Sequence, residues 1–133
     1  GISETDDLLA VHGYARGRFG ADLPVFLAGF SFGAYVVTRL AKRLTEIGDP
    51  AQRLVLVGTA AGFVEGARTY ETEAVAPDTL VIHGADDTTV PLANVLRWAE
   101  PLELPVSVIA GADHFFHRKL HIIRNIIHAA WHR

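Results

Sequence analysis

Val25-Phe26-Leu27-Ala28-Gly29-Phe30-Ser31-Phe32-Gly33-Ala34-Tyr35-Val36-Val37 decides the reading of this chain. An apolar run at about 25–28 predicts a strand. A helical pattern opens at Ala34, with Ala34, Val37, Ala41 and Leu44 at 3-4-3 spacing, and stops near Gly48-Asp49-Pro50. Between them a serine sits at the corner. A serine held in a strained backbone conformation at a strand-to-helix turn calls for glycine-sized residues two positions to either side, and Gly29 and Gly33 occupy those positions. The pattern G-x-S-x-G also describes a plain tight turn with Ser31 as a helix cap, so residues further along the chain have to decide between the two.

Two more apolar runs end in chemically useful residues. Leu80-Val81-Ile82 leads into His83-Gly84-Ala85-Asp86-Asp87-Thr88-Thr89-Val90-Pro91, and Val106-Ser107-Val108-Ile109 leads into Gly111-Ala112-Asp113-His114. A serine, an acid and a histidine therefore each follow a separate strand. That brings all of them to one edge of a parallel sheet.

With these residues the chain resembles the α/β-hydrolase superfamily, in which the order Ser, Asp, His separates the family from the chymotrypsin and subtilisin arrangements. The likeness is greatest to small bacterial serine hydrolases related to dienelactone hydrolase, with serine at Ser31 where that enzyme has cysteine. The resemblance implies catalytic roles for Ser31, Asp87 and His114, a nucleophile elbow at Gly29 and Gly33, and an oxyanion-hole N–H at Phe32. It places the acid in an H-G-x-x-D-x-x-V-P segment, and the spacing to Val90-Pro91 favours Asp87. Asp86 and Asp113 stay open as alternative acids. His83, ending a strand before a glycine, is expected to bond to backbone at the rim of the site. The implied reaction is cleavage of a carboxylic ester, or of a thioester or amide, in a small-molecule substrate through an acyl-serine, with no cofactor.

Composition bounds the partners. The 133 residues are half hydrophobic, the length and content of one domain with a substantial core, so 1–133 is read as a single partial domain. A net charge of −3 gives no reason to expect nucleic acid or an anionic membrane as partner. There is no cysteine, which excludes disulfides and thiol chemistry and fits a cytoplasmic site. No apolar run approaches a membrane span, and the N-terminus lacks a signal-peptide pattern. The chain opens at Gly1 and contains no methionine, which suggests a piece of something longer or the loss of a leading segment.

Four strands flanked by helices are expected. Ser3-Glu4-Thr5-Asp6 reads as the capped start of a first helix ending at Gly17 or Gly20. Leu54-Val55-Leu56-Val57 is apolar at every position, as in a parallel strand covered on both faces. The segment 58–77 is polar, with one short helix expected at about 65–73. A helix at about 91–100 and a last helix at about 116–131 complete a β-α-β-α alternation, hence a mostly parallel sheet with right-handed crossovers. In the last helix Phe115, Phe116, Leu120, Ile123, Ile127 and Trp131 are read as the buried stripe. Arg118, Lys119, Arg124 and most of His114, His117, His121, His128 and His132 are read as solvated. His117 and His121 have the four-residue spacing of metal ligands on a helix, but no third ligand stands at a clear spacing, so no metal is expected.

A full family core has about eight strands, and these four match its last four, so the resemblance implies that the N-terminal strands are missing, with the loop that donates a second oxyanion N–H. The strand at 25–28 would then be an unpaired apolar edge. A homodimer through that edge, or pairing with the missing N-terminal half, is expected. Two copies pairing antiparallel would give eight strands under two-fold symmetry. The rival to an enzyme is a catalytically silent hydrolase fragment that self-associates as an assembly module.

Overall fold

A strand with apolar residues at every position needs cover on both faces, and the way this chain provides it positions the site. The computed structural model describes residues 2–131. In chain order the elements are α1 (Ile2–Phe19), β1 (Phe26–Phe30), α2 (Phe32–Glu46), β2 (Arg53–Val57), β3 (Gly62–Phe63), β4 (Thr69–Tyr70), β5 (Leu80–Gly84), α3 (Leu92–Ala99), β6 (Ser107–Ile109) and α4 (Leu120–Trp131). The main sheet has four strands in the order β1-β2-β5-β6, all parallel. This is the α/β architecture expected from the alternating pattern.

Neighbouring residues of one strand serve opposite faces. Leu54 and Leu56 of β2 pack on Ala34 and Val37 of α2, while Val57 lies against the α4 side. In β5, Val81 joins Val90 and Val95 on the α3 side, and Ile82 joins Ile109, Ala112 and Phe116 beneath Ile122, Ile123, Ile126 and Ile127 of α4. The sheet is thus a middle layer between α2 and α3 on one face and α4 on the other. At about 25 cal/mol per Å² of apolar area, burying an aliphatic side chain of this size stabilises the fold by about 1.5–3 kcal/mol, so these two inner strands carry much of the core. α1 lies outside α2, with Thr5 buried and Leu8 packed against α2 residues. None of the helices among the described residues is long and apolar enough to cross a membrane.

Several local expectations fail for identifiable reasons. The helix expected at 65–73 is instead an antiparallel hairpin, β3–β4, with Gly62 opposite Tyr70 and Phe63 opposite Thr69. Gly66 has φ 78, which a helix does not accommodate, and Thr69-Tyr70 favours strand, letting Tyr70 pack edge-on against Tyr35 at 5.0 Å. α4 begins at Leu120 rather than 116, because Phe116 (φ 54) and Arg118 (φ 62) take left-handed conformations in the turn that sends the Phe116 ring into the core. The buried stripe shifts accordingly. Phe115 and Leu120 are exposed, and Ile122 and Ile126 join Ile123 and Ile127 in packing. His117 precedes α4, so it shares no helix face with His121. Ser3 lies inside α1 rather than capping it. His132 falls outside the described residues.

Candidate active site

Ser31 is placed by the end of β1. Its backbone is strained, with φ 57 and ψ −120. Hydrogen bonds hold it there: Ser31 N–H donates to the Val57 carbonyl at 2.9 Å, and its carbonyl accepts from Ala34 at 3.1 Å, Ala60 at 3.2 Å and Tyr35 at 3.3 Å. Fixed dihedrals of this kind persist where several contacts over-determine them. The two flanking glycines have different reasons. A Cβ on Gly29 would lie 2.6 Å from the Ala34 Cα and the Gly33 carbonyl oxygen, so the turn closes only over a bare backbone there. A Cβ on Gly33 would meet nothing within 4 Å, so the expected need for glycine holds at Gly29 alone.

Ser31 makes no side-chain cap bond to α2. Its Oγ lies 2.8 Å from His114 Nε2, and His114 Nδ1 lies 2.7 Å from Asp87 Oδ2. Because Nδ1 faces a carboxylate it carries the proton, which leaves Nε2 as the acceptor for the serine hydroxyl. Asp87 is 7% exposed, and its other oxygen accepts the N–H groups of Thr89 at 2.9 Å and Val90 at 2.8 Å. His114 is 4% exposed, with the rings of Phe30 and Phe115 each 5.1 Å from its own.

The loops carrying acid and base are laced together. Ala85 N–H donates to the Ile109 carbonyl at 3.0 Å and Asp86 N–H to the Ala112 carbonyl at 2.9 Å. A Cβ on Gly84 would sit 2.4 Å from that Ala112 oxygen, so glycine in the H-G pair is what lets the two loops meet. Of the carboxylates left open by sequence, Asp86 is exposed, and Asp113 pairs with His117 Nδ1 at 2.5 Å, a hydrogen bond that holds its carboxyl below the usual range. Only Asp87 meets His114 among the described residues.

Phe32 opens α2, so its N–H has no partner within the helix and stands beside Ser31 at the positive end of the helix dipole. His83 is at the end of β5 but not at the rim: it is 0% exposed, and its Nε2 lies 2.8 Å from the Val90 carbonyl and 3.3 Å from Asp87 Oδ2. Burial pushes its pKa down, with the Val90 bond and the Asp87 charge acting in the other direction. Sequence reasoning missed the Phe30 and Phe115 contacts to His114. Both residues flank motif positions, and only their aromatic character signalled a role.

Neither a protein-family model nor a curated protein matches the chain. Solved structures do. An α/β serine hydrolase without a lid from Xanthomonas campestris is 33% identical, with a TM-score of 0.77 over 96% of this chain and 55% of that one. An α/β serine hydrolase homologue from Coxiella burnetii is 29% identical, with a TM-score of 0.72 over 93% of this chain and 56% of that one. The type II thioesterase BorB of the borrelidin biosynthetic cluster, 21% identical with a TM-score of 0.66 over 95% of this chain and 70% of its own, shares the fold. The chain spans about half the length of the first two relatives. With its strand order, its serine turn and a third of its aligned residues in common with one of them, it has the α/β-hydrolase fold over the part of that fold it spans.

Proposed function

We propose that this chain carries the reacting centre of a serine hydrolase, acting on a carboxylic ester, or on a thioester or amide, through an acyl-Ser31 intermediate. The observation behind the reading is the unbroken row from Ser31 Oγ through His114 Nε2 and Nδ1 to Asp87, at 2.8 and 2.7 Å. A serine hydroxyl is a weak nucleophile at neutral pH, and a base within hydrogen-bond reach changes that. His114 Nε2 takes the hydroxyl proton as Oγ bonds to the carbonyl carbon. Asp87 stabilises the imidazolium so formed, and the Phe32 N–H donates to the carbonyl oxygen as it becomes negative. His114 then returns the proton to the leaving group as its bond to the acyl carbon breaks. Water, deprotonated by the same imidazole, releases the acid and restores the serine.

The test is covalent. A fluorophosphonate probe should add to the chain once, at Ser31 by peptide mass mapping, with no adduct on Ser31→Ala. A folded chain that stays unlabelled would remove the reading.

We further propose that β1 pairs with a second copy of the chain. β1 is an edge of the sheet, and Phe26, Phe30 and Phe32 on and beside it are 53%, 43% and 37% exposed. Unpaired strand groups beside exposed aromatic rings favour association over solvation. Sedimentation equilibrium at micromolar concentration should show a dimer, and a single 14.4 kDa species would exclude it.

A further inference from the structure

Asp87 serves two imidazoles, and only one of them has a part in the reaction proposed above. The second, His83, is wholly buried, and its two ring nitrogens stand in opposite situations. Nε2 faces acceptors alone, the Val90 carbonyl at 2.8 Å and Asp87 Oδ2 at 3.3 Å. A bare nitrogen there would set its lone pair against two others, so Nε2 carries a hydrogen. Nδ1 is buried with no hydrogen-bond partner among the described residues. A proton there would be a buried donor with nothing to bond, so Nδ1 is bare and the ring neutral. Asp87 and His114 are the titratable groups whose charges bear on this ring.

We infer that His83 is a positioning residue for Asp87: its neutral Nε2–H, bonded to the Val90 carbonyl with Oδ2 3.3 Å from the same nitrogen, turns the positive end of the ring dipole towards the carboxylate oxygen, helps hold it in line with His114 Nδ1 and offsets part of its charge. The bond to the Val90 carbonyl and the Val90 N–H to Asp87 Oδ1 at 2.8 Å close the same loop from both sides. His83, Asp87 and Val90 thus form one buried unit at the end of β5. A cation in place of this neutral ring would compete with His114 for the Asp87 charge. A ring without the donor would leave Oδ2 with His114 alone.

This rests on the Ser31-His114-Asp87 reading, so the experiment separates the two. In the wild-type chain, ring ¹⁵N shifts at neutral pH should report His83 as the neutral Nε2–H form with bare Nδ1. A protonated ring, or a hydrogen on Nδ1, would overturn the inference without any variant. In His83→Phe the ring volume stays and the donor goes, so Oδ2 presents more of its charge to His114. The low-field Nδ1 proton of His114 should shift. His83→Gln, which restores an N–H, should return it towards wild type. An unchanged low-field proton in His83→Phe with a native amide spectrum would show that His83 only ties down the loop, and would overturn the proposal. Asp87→Asn should abolish the low-field proton. If that proton survives, the pairing of Asp87 with His114 is itself wrong, and the inference about His83 falls with it.

Discussion

The two ends of the reacting row are built to different standards. At the β5–β6 end, Asp87 and His114 are buried, every described oxygen of the carboxylate has a donor, and the two loops are bonded to one another. At the β1 end, Ser31 stands on an edge strand whose residues alternate between exposed and half-buried, whereas β2 is buried at its three central positions and β5 at its last four. An open groove of about 550 Å³ lies along that edge, lined by residues that include Leu8, Ala28, Phe30 and Phe32. Local sequence suffices to assemble the acid and the base. The surroundings of Ser31 depend on what covers β1.

Substitutions within the row test both ends at once, and they carry the largest effects. On an activated ester, Ser31→Ala should lower kcat by on the order of a million-fold and Asp87→Asn by about ten-thousand-fold, the first removing the nucleophile and the second misorienting the base. Asp86→Asn should do far less, since Asp86 is exposed. Equal losses at Asp86 and Asp87 would mean that both act by supporting the loop, and the contrast between the two ends would disappear.

The open end sets the next effect. In the proposed mechanism Phe32 is the one oxyanion donor, and loss of a single such donor costs about a hundred- to a thousand-fold in kcat. With the rest of the row intact, the isolated chain should therefore turn over an ester that much more slowly than the ordinary enzyme range of roughly 1–1000 per second. A kcat within that range would show that a second donor is supplied here, by a partner copy or by a rearranged loop.

The elbow itself offers a sharper contrast between its two glycines. Gly29→Ala forces a Cβ to 2.6 Å from backbone that cannot step aside, and overpacking of this sort typically costs about 1–3 kcal/mol. Gly33→Ala meets open space and should leave the melting temperature nearly unchanged in the isolated chain. If Gly33→Ala destabilises the dimer while sparing the monomer, the groove beside β1 is occupied by the second copy.

How much of this was legible follows the same division. The four main strands, their parallel pairing and the meeting of Ser31, Asp87 and His114 at one sheet edge could be read because buried parallel strands are apolar throughout and these residues follow them directly. The hairpin at β3–β4 was not, since two-residue strands leave no periodicity and only the φ of Gly66 breaks the helical reading. The start of α4 was misplaced because nothing local announces that Phe116 turns inward. Its ring goes where Ile82 and Ile109 leave room, which is a property of the packed sheet. His83 was read as a rim residue because a histidine at a strand end is usually wet, and its burial comes from the loop that returns over it to Val90.

The smallest effect lies farthest from the row, where α1 and the turn after α2 are clamped together. Asp49 accepts from Arg16 through Nε at 3.0 Å and Nη2 at 2.8 Å, and from His12 Nε2 at 2.7 Å, while Arg16 Nη1 also donates to the Leu23 carbonyl at 2.5 Å, on the segment that leads into β1. The Arg16 hydrogen bonds, then the His12 one, hold the Asp49 carboxyl down at about 2. A folded-state pKa below the unfolded value of about 3.9 contributes stability that is complete above about pH 4 and is lost as pH falls towards 2. The group is partly exposed, so the gain is screened and modest. Asp49→Asn should therefore lower thermal stability slightly at neutral pH and flatten its decline between about pH 4 and pH 2. A parallel acid limb in wild type and variant, by calorimetry, would mean that the clamp is not formed in solution and that α1 approaches β1 by packing alone.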